Sequence, residues 1–453
     1  MKSISKNVKS DFLWGTLTTA FQCEGALRRD GRGSSIWDIF SHTHGKIKNN
    51  ENADISCDFY DYYKDDIKLM KSLGYKAHSL SISWSRIFPL GKGKINKNGI
   101  DFYKNVLEEL KNNNIKTFVT LYHWDLPQAL QEKGGWLNKE TPIAFSEYAN
   151  FCFKELGNLV DFWVTLNEPS VSSFFSYYMG VFPPEIKDTL STLKVIHNLI
   201  FAHGLAVQKF RNYNYNSKIG IKLDKQYSEP FDLNNINDIY AKRFYDALFF
   251  ESFSDTIFFG DYPSSFYRIL NKLGSDIFVT KKDLDIISQK IDFLGLDYYT
   301  RQYIKYDEAM PLNFSIHLSK EYEDTLNNDT EFYPYENYPE GLYKVLSYLG
   351  KRYSNIPIFV TENGRGVGKE VTENNIINDD YRIKYLEQHI KMVKKAIKEG
   401  IDIKGYFVWS FLDCFEWNFG FGVKFGLVHV DFKTQKRTPK ESAYWYSKFI
   451  KNY

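Results

Sequence analysis

The chain of 453 residues carries 58 Lys and Arg against 56 Asp and Glu, a net charge of +2, with 43% hydrophobic and 25% charged residues. This is the composition of a soluble globular chain, and a near-zero balance with scattered charges excludes a basic footprint for nucleic acid or for an acidic membrane surface. The unusual figure is the aromatic share of 17%, from 37 Phe, 33 Tyr and 9 Trp.

Each buried ring covers about 150 to 250 Å². The surplus therefore fills a large core, or walls a cleft whose ring faces take flat apolar surfaces such as sugars; composition leaves both open. Length alone, at roughly 150 residues per domain, suggests about three domains. The N-terminus MKSISKNVKSDFLWGTL is positively charged but has no apolar run of the kind a secretory signal needs. No stretch approaches the roughly 18 apolar residues that would span a bilayer. Cys23, Cys57, Cys152 and Cys414 are widely spaced, without metal-type pairs, and read as reduced, mostly buried thiols. The expectation is a cytoplasmic protein with no nucleic-acid or membrane partner.

In chain order, short apolar runs read as buried strands at 12–15, 77–82, 117–121, 162–166, 219–223, 293–296, 358–361 and 405–409. Segments of helical period lie between them, among them 60–73 ending at Gly74, 102–111, 142–156 ending at Gly157, and 382–399 ending at Gly400. For 142–156 the expected start is Thr141 as N-cap with Pro142 at the first helical position. The Asn/Asp-rich stretches 234–238 and 327–329 read as surface loops. Strand and helix alternate from end to end with no Pro/Ser-rich linker, so residues 1–453 are expected to form a single (β/α)8 TIM barrel whose long βα loops make an active-site cleft. An open doubly wound sheet would want an early glycine-rich βα turn, and none follows the first strand. The late cluster Gly364, Gly366, Gly368, Lys369 lacks the Ser or Thr of a phosphate-cradling loop.

Barrel chemistry sits at the C-terminal ends of the strands. Glu168 follows the fourth run in Thr165-Leu166-Asn167-Glu168-Pro169, and Glu362 follows the seventh in Phe359-Val360-Thr361-Glu362-Asn363-Gly364. A carboxylate ending an apolar strand is costly unless partnered or functional. Two that face each other are the apparatus of glycoside hydrolysis, with retention at a separation of about 5 to 5.5 Å and inversion at about 6.5 to 9.5 Å.

With these motifs together, the chain resembles a family 1 glycoside hydrolase, a retaining β-glucosidase type of (β/α)8 barrel. The similarity runs from Phe12-Leu13-Trp14-Gly15 to Trp445-Tyr446, through Phe21-Gln22-Cys23-Glu24-Gly25-Ala26, Ser81-Ile82-Ser83-Trp84-Ser85-Arg86, Tyr122-His123-Trp124-Asp125-Leu126-Pro127 and Phe415-Glu416-Trp417. The resemblance implies that Glu168 is the acid/base and Glu362 the nucleophile. It further implies that Asn167 holds the sugar 2-hydroxyl and that Gln22, His123, Trp124, Glu416 and Trp417 bind hydroxyls. Trp409 would be the stacking platform, and Tyr299 would hydrogen-bond the nucleophile. The implied substrates are β-glucosides, with β-galactosides or β-fucosides as further candidates, and the implied chemistry uses no metal and no cofactor. Relatives that take 6-phosphorylated glycosides carry Ser, Lys and Tyr where this chain has Glu416, Val423 and Phe425, so an unphosphorylated sugar is expected.

Two departures stand out. Ser79 occupies the place of an Arg that pairs with the nucleophile in the family, and Asp297 that of an Asn. If both face the pocket, Glu362 is expected to be harder to ionise than in relatives, unless another basic group compensates. The family's aglycone-side Trp appears as Tyr335, with one residue inserted. These changes keep open a catalytically impaired sugar-binding member of the fold, and a transglycosylase would use the same covalent intermediate.

Overall fold

The computed structural model describes residues 11–275, 278–318, 335–373 and 376–452. Eight parallel strands close into a barrel: β1 Leu13–Thr18, β2 Ala77–Ser81, β3 Lys116–Tyr122, β4 Phe162–Asn167, β5 Lys218–Asp224, β6 Phe293–Asp297, β7 Ile358–Asn363 and β8 Ile403–Val408, ordered 1-2-3-4-5-6-7-8 around the ring. All eight runs read from the sequence are barrel strands. The next strand is reached each time through a helix on the outside, and Phe59–Leu73, Lys97–Asn112, Glu140–Leu156, Thr189–Phe210, Pro339–Arg352 and Asp380–Lys398 are the long ones.

Some local expectations are corrected. The third of these helices begins at Glu140, so Thr141 is not its cap; its hydroxyl donates to the Gly135 carbonyl instead. Pro142 is tolerated because it stays in the first turn, where its missing N–H has no intrahelical acceptor. The helix does end at Leu156 with Gly157 as its C-cap, but Gly157 takes the αR conformation and leads into a 3-10 turn, whereas Gly74 and Gly400 adopt positive φ, 81° and 94°. Residues 234–238 lead into a helix, Ile236–Asp246, capped by the Asn235 side chain, and 327–329 lie outside the described residues, as does most of the N-terminal stretch. The helix Thr189–Phe210 is long and apolar enough to cross a membrane, contrary to the reading of runs above; 72% of its apolar window is buried within the protein. All four cysteines are free and buried.

The aromatic surplus has a definite destination inside the barrel. Phe118, Phe162, Phe293, Phe359 and Phe407 come from five strands, and their rings meet at centroid distances of 4.2 to 6.0 Å. Rings from non-adjacent strands can touch only across the interior, so this is a packed plug. Gly15 makes room for it, since a Cβ there would lie 2.5 Å from the Phe407 ring. Above the plug the interior turns polar. Strand register slips in β4 between Val164 and Asn167 and in β7 between Val360 and the Glu362–Asn363 end. Such irregularities re-aim side chains at strand ends, and these two fall where the glutamates lie.

Candidate active site

Glu168 follows β4 with φ 42° and ψ 60°, and Pro169 begins a short helix after it. Its N–H donates to the Lys222 carbonyl on β5 at 3.0 Å. Trp124 (φ 72°) and Trp417 (φ 44°) are also left-handed. This conformation is costly for non-glycine residues and collects at functional sites. Glu362 lies in β7; its carbonyl accepts from Tyr298 N–H at 3.0 Å, and Tyr299 OH donates to its Oε2 at 2.9 Å. Tyr299 is itself pinned, because its carbonyl accepts from Tyr385 OH and its N–H donates to Gln226, both at 2.7 Å.

Carboxylate oxygens of Glu168, Asp297 and Glu362 lie within 4.8 Å of one another, and all three residues are buried. The residues expected to bind sugar gather around them. Gln22 donates to the Phe415 carbonyl at 2.8 Å and to Glu416 Oε2 at 3.4 Å, joining β1 to the loop after β8. Asn167 Nδ2 is 3.4 Å from His123 Nε2, and Trp124 Nε1 donates to the Asn167 carbonyl at 3.1 Å. Trp417 packs on Trp124 at 4.5 Å and lies nearly parallel to His123 at 5.9 Å. Trp409 is buried at the end of β8, beside Gly364, where any Cβ would collide with the Trp409 carbonyl. Tyr335 lies 5.6 Å from the Tyr299 ring.

Three residues were missed in the sequence. Lys222, a cation inside the apolar run of β5, is 1% exposed; its Nζ lies 3.5 Å from Glu362 Oε1 and donates to Ser79 Oγ at 3.2 Å. Asp224 and Gln226 follow it on the same side and bond to each other. A lysine in a strand otherwise fit for full burial was the available signal. Ser79 and Asp297 both face the interior, which meets the condition on which their sequence departures matter. Asp297 Oδ1 accepts from Thr361 Oγ1 at 2.6 Å. Beside Ser79 and Glu362 the structure thus places a cation from β5. Arg86 is not that cation, since it is engaged by Glu24 at 2.9 Å.

Electrostatics separate the two glutamates. Burial, then the negative charges of Asp224, Glu362 and Asp297, push Glu168 well above the usual carboxylate range. Burial also raises Glu362, but Lys222 and the Tyr299 hydroxyl pull against it. Asp297 is held high by burial and by Glu362, and Asp224 is raised to about 7, mainly by burial. Burial and the facing Lys222 keep His123 far below its ordinary value and therefore neutral. Glu416 is pushed up to about 8 by burial and by Glu362. Among the described residues, two sets of three side chains have metal-ligand reach, Glu168/Asp297/Glu362 and Glu370/Asp413/His429. Each already receives a lysine ammonium, from Lys222 and Lys440 respectively.

A family model for glycosyl hydrolase family 1 matches residues 4–453. The chain belongs to this family. The beta-glucosidase A of Acetivibrio thermocellus is 42% identical over 444 residues, covering 98% of both chains. The solved beta-glucosidase of Thermotoga maritima in complex with castanospermine superposes with a TM-score of 0.91 at 40% identity, covering 99% of each chain. A protein from Oryza sativa described as a probable inactive beta-glucosidase 14 is also 38% identical, over 97% of this chain and 90% of that one. This family 1 chain is thus a glycoside hydrolase with a (β/α)8 barrel.

Proposed function

We propose that the protein is a retaining β-glycosidase that hydrolyses unphosphorylated β-glucosides, with β-galactosides or β-fucosides as further substrates. The observation that carries this reading is the approach of Glu168 and Glu362, whose carboxylate oxygens come within 4.8 Å. That spacing supports retention, since inversion needs a gap wide enough for water between the two groups.

In the first step Glu362 Oε attacks the anomeric carbon while the C–O bond to the leaving group breaks and Glu168 gives its proton to the departing oxygen. In the second, Glu168, now ionised, takes a proton from water, whose oxygen attacks the same carbon and releases Glu362. The arrangement suits these roles: the higher-titrating carboxyl is the proton donor, and the carboxyl beside a cation is the nucleophile. Burial of both excludes bulk water and strengthens every charge interaction in the site. Asn167 with His123, and Gln22 with Glu416, offer donors and acceptors to sugar hydroxyls, and Trp409 offers an indole face to the ring C–H surface. The positions that would hold a 6-phosphate carry Glu416 and the buried apolar Val423 and Phe425, none of which brings a positive charge.

Turnover of 4-nitrophenyl β-glucoside, abolished in Glu362→Ala, tests this reading. Binding of the sugar without turnover in the unaltered protein would instead assign it to a catalytically impaired member of the family. Added acceptor alcohols that appear in the product would point to transglycosylation.

A further inference from the structure

Burying an ammonium costs several kcal/mol unless it is paired and hydrogen-bonded, so the placement of Lys222 calls for a cause. In the barrel register Lys222 sits between Asn167 on β4 and Gly295 on β6. Gly295 admits its stem: a Cβ there would lie 2.8 Å from Lys222 Cγ and 2.8 Å from Thr361 Oγ1. Ser79, across the interior on β2, is small enough to leave the Nζ its seat and supplies an acceptor to it. Three positions on three strands are therefore fitted to one another, and together they place a single cation 3.5 Å from Glu362 Oε1.

Resting on the glycosidase reading above, we propose that Lys222 is the positioning residue that keeps Glu362 ionised and oriented, and that positions 79 and 222 are alternative seats for one cation. A long cation at 79 would meet the Lys222 ammonium in a seat already filled. The groups facing Lys222 fit a single-cation site. Glu362 on β7, Asp297 on β6 and Glu168 after β4 are all acids, the Tyr299 hydroxyl faces Glu362, and the nearby His78 on β2 and His123 after β3 are both held neutral, first by burial and then by Lys222. No second cation is needed to explain the charge beside Glu362.

The test compares the unaltered protein with Lys222→Met, Lys222→Arg, Ser79→Arg and the double variant Ser79→Arg/Lys222→Met. Two pH profiles are read, kcat/KM on 4-nitrophenyl β-glucoside and the calorimetric affinity of deoxynojirimycin, a cationic sugar mimic that needs an ionised carboxylate but no turnover. Lys222→Met is expected to move the acidic limb of both upward by about one to three pH units, the size of effect that an opposite charge at this range exerts on a carboxylate. Lys222→Arg, which keeps the charge should the methionine variant fold poorly, is expected to leave the limb nearer its original place. Ser79→Arg alone is expected to lose more activity than the double variant, and the double variant to recover most of the shifted limb. An acidic limb unmoved in Lys222→Met, or a double variant worse than both single ones, overturns the inference and leaves the glycosidase reading standing. No turnover in the unaltered protein, with the iminosugar profile still moved by Lys222→Met, overturns the glycosidase reading alone, and no binding in any form overturns both.

Discussion

Two buried ionic clusters in this molecule both set Asp and Glu side chains against a lysine and do opposite things. In the first, Glu168, Asp297 and Glu362 surround Lys222, with Asp224 beside Glu168 and Glu362, and each of the four carboxyls is pushed above its ordinary range, by burial before all else. In the second, Asp379, Glu370 and Asp413 meet Arg382, Lys440 and His429. Lys440 bonds both Glu370 and Asp413, His429 lies 3.2 Å from Asp413, and Arg382 bonds Asp379. Burial opposes ionisation there as well, yet the cations win and hold Glu370 and Asp413 below their ordinary values. The second cluster ties the loops after β7 and β8 to the start of the C-terminal helix Glu441–Lys451, behind the segment that carries Glu416 and Trp417. Cation count decides the outcome. A balanced cluster is a fastener, whereas one short of cations keeps protons that can be moved.

The largest effects should come from breaking the unbalanced cluster at its reacting groups. Glu362→Ala is expected to remove turnover by several orders of magnitude with little change in melting temperature. Glu168→Gln should cost about 10²- to 10⁴-fold, the usual worth of a general acid. The loss should be smaller on a substrate whose leaving group needs no proton, a difference read by comparing alkyl with nitrophenyl glucosides.

Lys440→Met makes the contrast with Lys222→Met sharp. Removing one partner of a buried ion pair costs about 3 to 5 kcal/mol, so its melting temperature should fall while the acidic limb of kcat/KM stays where it is. A shifted limb in that variant would mean that the two clusters are not separable. His429 gives a smaller effect with a definite sign. Asp413 and Glu370 raise it from 6.5 to about 9, so its protonated form stabilises the folded state fully below about pH 6.5, and that stability is lost as pH rises through about 9. The melting-temperature gap between the unaltered protein and His429→Gln should therefore be widest in mild acid and close above about pH 9. The smallest effect is expected at Asp297. Burial and the charge of Glu362 hold its carboxyl well above the usual carboxylate range, which favours the neutral form that an amide imitates, and Asp297→Asn should change kcat/KM by less than about tenfold.

Much of the fold was legible because barrel strands announce themselves as short apolar runs and all eight lie in chain order. Glu168 and Glu362 were legible for a related reason, since each breaks an apolar run at its C-terminal end. Lys222 was not, because its meaning depends on Ser79 and Gly295, which are more than seventy residues away on other strands. The loss at Ser79 could be read, but its compensation could be found only where the chain closes on itself. The helix Thr189–Phe210 escaped notice because His197, Asn198 and His203 interrupt its apolar run, yet all three are buried, with Asn198 and His203 paired to Trp136 and Thr165. Thr141 resembled a cap by type alone, and the Gly135 carbonyl that claims it belongs to the preceding turn.

Everything in the unbalanced cluster turns on Glu362 being the nucleophile that bonds to the sugar. Incubation with a 2-deoxy-2-fluoro-β-glucoside carrying a good leaving group, followed by peptide mass spectrometry, tests it most directly. One fluoroglucosyl unit on the peptide containing Glu362, absent in Glu362→Ala, is the predicted result. An unlabelled protein that nevertheless turns over nitrophenyl glucoside, or label on Glu168, would contradict the account.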